Sequence, residues 1–192
     1  KMFNLFTQHP PSAVSLGGLL YQFNSSFRAV IQFEQVMQDK GLRAEDRIYI
    51  VLKLFFGEQY LEPSLYQDAI KYILWFYRGG DNEEDTGKTG SRKTKAIYSF
   101  IHDDGLIYAA FLEQYGIDLV SEDLHWFQFR ALFLSLSEKT KMAEVMRIRA
   151  INISQVPKEE RKRYAKLKRL YALPDMRTND EKESDFADAF WQ

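Results

Sequence analysis

The spacing of apolar residues divides the chain into a short extended start followed by a succession of helical stretches. Ala13-Val14-Ser15-Leu16 and Leu19-Leu20-Tyr21-Gln22-Phe23 flank the pair Gly17-Gly18. Adjacent glycines reach the positive φ angles of a tight hairpin turn, so residues 13–23 are predicted to form a β-hairpin. A lone hairpin is marginal in water, and this one is expected to lie against the helices that follow.

Asn24-Ser25-Ser26 is a run of N-capping residues, and beyond it the apolar period lengthens. Phe27, Val30, Ile31 and Met37 share one helical face, with Gly41 as the stop. Ile48, Val51, Leu52, Phe55 and Phe56 form an unbroken i, i+3, i+4, i+7, i+8 series that Gly57 closes. Pro63 fits the first turn of a third helix. That helix carries Tyr66, Ile70, Ile73 and Tyr77 on one face and Tyr72, Leu74, Trp75 and Phe76 on the others, so it is expected to be buried on several sides. Gly79-Gly80 ends it, and residues 81–95, with no large apolar side chain, are predicted to be a flexible polar loop.

Helical spacing resumes near Asp103, with Tyr108, Phe111, Leu112 and Tyr115 on one face and Gly116 as terminator. Ser121, Glu122 and Asp123 are predicted to open the next helix, running from Leu124 to Leu134, by capping and by complementing the helix dipole. Ser137 is expected to cap a helix bearing Met142, Val145 and Met146. Pro157 begins a last one with Tyr164, Leu167 and Tyr171 in register, and Pro174 ends it. The pattern therefore predicts a mainly α protein: a single helical domain over 1–174, with about seven or eight helices and the N-terminal hairpin, followed by an acidic amphipathic segment over 175–192.

Composition changes this picture in three respects. With 45% hydrophobic and 15% aromatic residues the chain has ample material for a packed core and is not disordered as a whole. No cysteine is present, which excludes disulfides and thiolate metal sites. A net charge of −1 gives no overall attraction to nucleic acid or to an acidic membrane surface. No stretch reaches the roughly 20 apolar residues of a membrane span. The start lacks the charged-then-apolar layout of a signal peptide, so the expected compartment is the cytoplasm.

Charge is locally uneven. Lys158 to Arg169 carries seven basic and two acidic residues, about +5, whereas residues 175–192 carry six acidic and two basic ones, −4. Phe186 and Phe190 lie one helical turn apart with Trp191 adjoining. An acidic segment with aromatic anchors is a familiar peptide-recognition device, although it also suits folding back onto the protein's own core. Phe186, Phe190 and Trp191, together with Arg161, Arg163 and Lys166 of the basic helix, are therefore the candidate partner-binding residues. The acidic segment is also placed to neutralise the basic helix within one chain or between subunits. Seven cations with Tyr164 and Tyr171 are compatible with nucleic acid as well, but the tyrosines fall at core spacing, which disfavours that reading.

Candidate chemistry is otherwise weak. Gly80 to Thr89 superficially resembles a phosphate-binding loop, but six acidic-rich residues separate Gly80 from Gly87-Lys88-Thr89 where four are required, and the segment follows a helix rather than a strand. His102-Asp103-Asp104 lacks further ligands at metal-site spacing, and capping of the helix by Asp103 or Asp104 is the expected role. His125, beside Trp126 in an apolar helix, has no nearby nucleophile and is expected to be a half-buried, hydrogen-bonded histidine. The pairs Glu83-Glu84 and Glu159-Glu160 read as solvated surface. No catalytic, cofactor or metal site is expected, and the protein is expected not to be an enzyme.

The stretches YILWFYRGG (72–80), IYAAFLEQYGIDL (107–119), LHWFQFRALFLSLSEKTKMAEVMRIRAINIS (124–154) and RKRYAKLKRLYALPD (161–175) are specific. Through them, and through the order of hairpin, FEQVMQD helix (33–39) and polar loop, nearly the whole chain resembles the bacteriophage gene-product-fifteen family of Gram-positive siphophages and prophages. The resemblance implies a protein encoded just ahead of the tape-measure gene, a position usually held by tail-assembly chaperones. It carries no catalytic motif across. The implied function is a chaperone that binds the tape-measure protein, and in addition recruits major tail protein, in the host cytoplasm. Such a protein is expected to be absent from the mature virion. Opposite charges on successive segments would also suit head-to-tail homo-oligomers. The alternatives are a tail completion or connector component of the virion and, behind it, a nucleic-acid-binding regulator.

Overall fold

The computed structural model describes residues 4, 5, 7–39, 41–81 and 96–174. Nearly all of the polar loop 81–95, and the whole of segment 175–192, lie outside the described residues. The described chain is mainly α with an N-terminal hairpin. It contains strands β1 (Ala13–Leu16) and β2 (Leu19–Gln22) and seven α-helices. The helices are α1 (Phe27–Gln38), α2 (Ala44–Phe56), α3 (Tyr66–Tyr77), α4 (Asp104–Tyr115), α5 (Trp126–Leu134), α6 (Lys141–Ala150) and α7 (Lys158–Leu170), with 3-10 turns at Pro63–Leu65 and Ile153–Gln155. The described residues fall into two compact units, one of 4–81 with 123–131 and one of 96–122 with 132–174.

In the first unit the hairpin pairs Leu16 with Leu19 and Val14 with Tyr21. Gly17 (φ 56°) and Gly18 (φ 81°) supply the two left-handed positions of its turn, as the sequence predicts. The side-chain amide of Gln59 continues the ladder. It accepts from the Gln22 N–H and donates to the Gln22 carbonyl, both at 2.9 Å. Phe23, just past β2, stacks on Phe55 at 5.0 Å and meets Phe56, Tyr72 and Phe76 edge-on. Tyr21 of β2 also meets Phe56 edge-on at 6.3 Å, so two aromatic residues hold the hairpin end to α2 and α3.

α1 is capped by the Ser26 hydroxyl, which accepts from Arg28 N–H. Its buried face is Phe27, Ala29, Val30, Phe33 and Glu34. Ile31 and Met37, expected in the core, are only half-buried, because Phe33 is the residue that reaches the rings of Phe55 and Tyr77. α2 buries Val51, Leu52, Phe55 and Phe56 and ends at Gly57 (φ 64°). α3 buries Ala69, Ile70, Ile73, Leu74 and Phe76, and the wide arc these cover agrees with a helix enclosed on several sides.

The helix expected from Leu124 begins two residues later, and Ser121 does not cap it. Ser26 and His125 form an antiparallel bridge, in which Phe27 N–H donates to Leu124 O and Trp126 N–H to Ser25 O. That pairing holds 124–125 extended. Asp123, expected at the helix start, instead accepts from Ser26 and pairs with Arg28 at 2.8 Å. The first residues of α5 then bury Trp126, Phe127 and Phe129, with Trp126 Nε1–H donating to the Tyr77 carbonyl at 2.9 Å.

In the second unit Ile107, Ala110 and Phe111 of α4, Phe133 of α5, and Met142, Val145 and Ile148 of α6 are buried. Tyr98, Phe100 and Phe133 form a ring cluster with centroids 4.9–5.4 Å apart. Leu112, expected on the buried face of α4, is exposed. Thr140 rather than Ser137 caps α6, accepting from Ala143 N–H while donating to Ser137 O. Tyr115 donates to Leu132 O, and the Gln114 amide donates to Ser135 O and accepts from Ser137 N–H, which ties α4 to the turn after α5.

Candidate partner-binding surface

α7 follows Pro157, with Glu159 and Glu160 in its first turn and Lys168 and Arg169 in its last, an order that complements the helix dipole at both ends. Tyr164 and Leu167 lie toward the protein, but no residue of α7 is fully buried. The helix is attached in part through its cations. Arg161 turns back so that Nε donates to Val156 O at 2.8 Å and Nη2 to Ser154 O at 2.9 Å. Lys168 Nζ donates to Ile151 O at 2.6 Å. At the C-terminal end Arg149 Nε donates to Tyr171 O at 2.6 Å.

The remaining cations point outward. At 3.6 residues per turn Lys158, Lys162, Lys166 and Arg169 fall within an arc of about 80°, and all four are exposed. None makes a hydrogen bond or ion pair among the described residues. Arg163 and Leu170 adjoin this stripe, and Leu170 is 69% exposed. The carboxyl of Glu144 on α6 is held below the usual range, mainly by its hydrogen bond from Lys141 at 2.8 Å, with Arg163 adding to it. The surface is therefore a cationic ridge with an apolar end, suited to an acidic partner that carries apolar side chains.

Of the candidate residues read from the sequence, Arg163 and Lys166 lie on this exposed side. Arg161 is half-buried and gives two guanidinium nitrogens to backbone carbonyls. Phe186, Phe190 and Trp191 lie outside the described residues.

The other polar groups singled out in the sequence hold structure. Asp103 stands at the N-cap of α4, yet its carboxylate makes no capping bond. It accepts from Ser99 N–H and, through both oxygens, from Arg149. His125 Nδ1 accepts from Phe127 N–H at 3.1 Å, which assigns the ring proton to Nε2, 3.1 Å from Pro11 O. Burial lowers the pKa of this imidazole, partly offset by the Pro11 carbonyl. Among the described residues no group of three or more His, Asp or Glu side chains is placed to hold a metal ion, and no helix is long and apolar enough to cross a membrane. An open hollow of about 270 Å³ beside the C-terminus of α2 is lined by Tyr49, Phe56, Tyr60 and Tyr66 with Lys53 and Glu58, and those last two pair with each other at 3.0 Å.

Sequence reasoning missed the Asp103–Arg149 pair. The signal available was Arg149 following Val145 and Ile148, a cation one residue beyond an apolar face. It also missed the division of labour among the α7 cations, which depends on where residues 151–156 run.

Fold and surface together define a mainly helical protein with an N-terminal hairpin and a cationic surface helix. The chain belongs to the Bacteriophage Gp15 protein family, whose model matches residues 7–173. It is thus a phage-related protein, and the match ends just short of the acidic segment. No curated protein and no solved structure matches the chain.

Proposed function

We propose that the protein is a tail-assembly chaperone that binds the tape-measure protein during tail morphogenesis and catalyses no reaction. Its family supports the phage setting. The observation that carries the binding reading is the row Lys158, Lys162, Lys166 and Arg169, exposed beside Leu170 and without ion pairs among the described residues. A long client held reversibly needs contacts strong enough to keep it soluble and weak enough to release. Surface charge with scattered apolar groups gives binding of that kind, fast in association and sensitive to salt. Recruitment of major tail protein and residence in the host cytoplasm belong to the same proposal.

The test is co-expression with the tape-measure protein of the same genome, followed by affinity capture and light scattering. The expected result is a soluble complex that Lys162→Glu with Lys166→Glu weakens at least about tenfold, since each reversed charge turns an attraction into a repulsion. An aggregated tape-measure protein, with this chain instead retained in purified particles by mass spectrometry, would overturn the reading in favour of a virion component.

A further inference from the structure

We propose that the cationic stripe of α7 is a docking site for the chain's own acidic segment, residues 175–192, which shields it in the free protein. Such docking is independent of any chaperone role.

Three observations support it. The first is charge. Five exposed cations, Lys158, Lys162, Arg163, Lys166 and Arg169, meet a segment with six acidic and two basic residues, a net −4. The second is spacing. Glu181, Asp185 and Asp188 recur at intervals of four and three, which on a helix places them on one side, as 158, 162, 166 and 169 are on α7. On such a helix Phe186 and Phe190 would fall on the side away from that acidic row, so the match to the stripe is one of charge. The third is reach. α7 spans ~20 Å, and 18 residues cover ~27 Å even when helical, so a segment starting five residues after Leu170 can run back along the whole stripe. Tethering at that distance gives an effective concentration in the millimolar range, which favours the chain's own segment over a second copy at ordinary protein concentrations.

The test uses the full chain, as an equal mixture of unlabelled and 15N-labelled protein at low salt. A carbodiimide joins carboxylates to amines only where they touch. Links from Lys158, Lys162 or Lys166 to Glu181, Glu183, Asp185 or Asp188 are expected within single isotopic species. They should fall on the order of tenfold in 1 M salt, where the screening length is about 3 Å. Lys162→Glu with Lys166→Glu should abolish links from Lys158 to the segment. Adding Asp185→Lys and Asp188→Lys should restore linkage with the polarity exchanged. Links only between isotopic species would overturn the proposal by making a second copy the occupant. Absence of links in the unsubstituted chain, or links insensitive to salt, would overturn it outright.

Discussion

Arg149 and Asp103 form a bidentate ion pair at 2.6 and 2.8 Å, with side chains only 9% and 3% exposed. The same guanidinium donates to Ile97 O and Tyr171 O, and Asp103 also accepts from Ser99 N–H. One arginine therefore joins the segment before α4, helix α6 and the end of α7. Removing either partner leaves the other charge buried and unpaired, which typically costs about 3–5 kcal/mol. Arg149→Leu and Asp103→Asn are each expected to lower stability by an amount in that range in urea unfolding, and the double substitution by less than the sum.

How far the sequence revealed this structure depends on the range of the interaction. The hairpin turn, the glycine ends of α2 and α4 and the existence of the helices are local, and Gly17-Gly18, Gly57 and Gly116 mark them directly. The start of α5 was not legible, because an extended pairing with Ser25–Phe27, about 100 residues earlier, overrides the capping signal at Ser121. The same holds at Asp103, where a guanidinium 46 residues away in sequence takes the carboxylate that would otherwise cap. On α7 the basic composition was plain, but which cations bind the protein's own backbone depends on the path of 151–156.

His125 gives a pH dependence of definite sign. Burial lowers its pKa below the ordinary 6.5, so the unfolded chain binds a proton more readily than the folded one as pH falls. Its contribution to stability is complete above about pH 6.5 and is lost as pH falls from there through the folded-state pKa. Protonation also places a proton on Nδ1, where Phe127 N–H now donates. Urea midpoints should decline between pH 7 and 5, and His125→Gln should flatten the part of that slope due to this residue.

Phe23, together with Tyr21, makes the ring contacts between the hairpin end and the helices of the first unit. It is buried, and its ring contacts reach α2 and α3. Phe23→Ala is expected to cost about 3–5 kcal/mol, as other large-to-small core substitutions do. Calorimetry would check this. A loss below 1 kcal/mol would mean that the Phe23 ring contributes little to the first unit.

The two turn glycines should respond differently to substitution. Both have positive φ, but a Cβ on Gly18 meets nothing within 4 Å, whereas one on Gly17 would lie 2.9 Å from Leu65 Cδ2. Asn tolerates the left-handed region and is favoured in such turns. Gly18→Asn is therefore expected to shift stability by less than about 0.5 kcal/mol, and Gly17→Ala to cost roughly 1–2 kcal/mol. Thermal unfolding followed by circular dichroism separates the two, and a loss for Gly17→Ala no larger than that for Gly18→Asn would contradict the cost expected of a left-handed alanine facing Leu65.

The cations of α7 divide into anchors and free charges, and that division makes the proposed binding face testable without confusing it with stability. Arg161 gives two charge-assisted hydrogen bonds to Val156 O and Ser154 O. Arg161→Ala should thus cost about 1.5–3 kcal/mol, the range for hydrogen bonds made by charged groups. Lys166 is exposed and makes no such bond among the described residues, so Lys166→Ala should remain within about 0.5 kcal/mol of the parent. The order should reverse in a capture assay with tape-measure protein under conditions where both variants are folded, with Lys166→Ala weakening capture more than Arg161→Ala. If instead capture follows stability, with Arg161→Ala the weaker binder and Lys166→Ala unchanged, the stripe is not the contact surface, and the client site lies elsewhere on the protein.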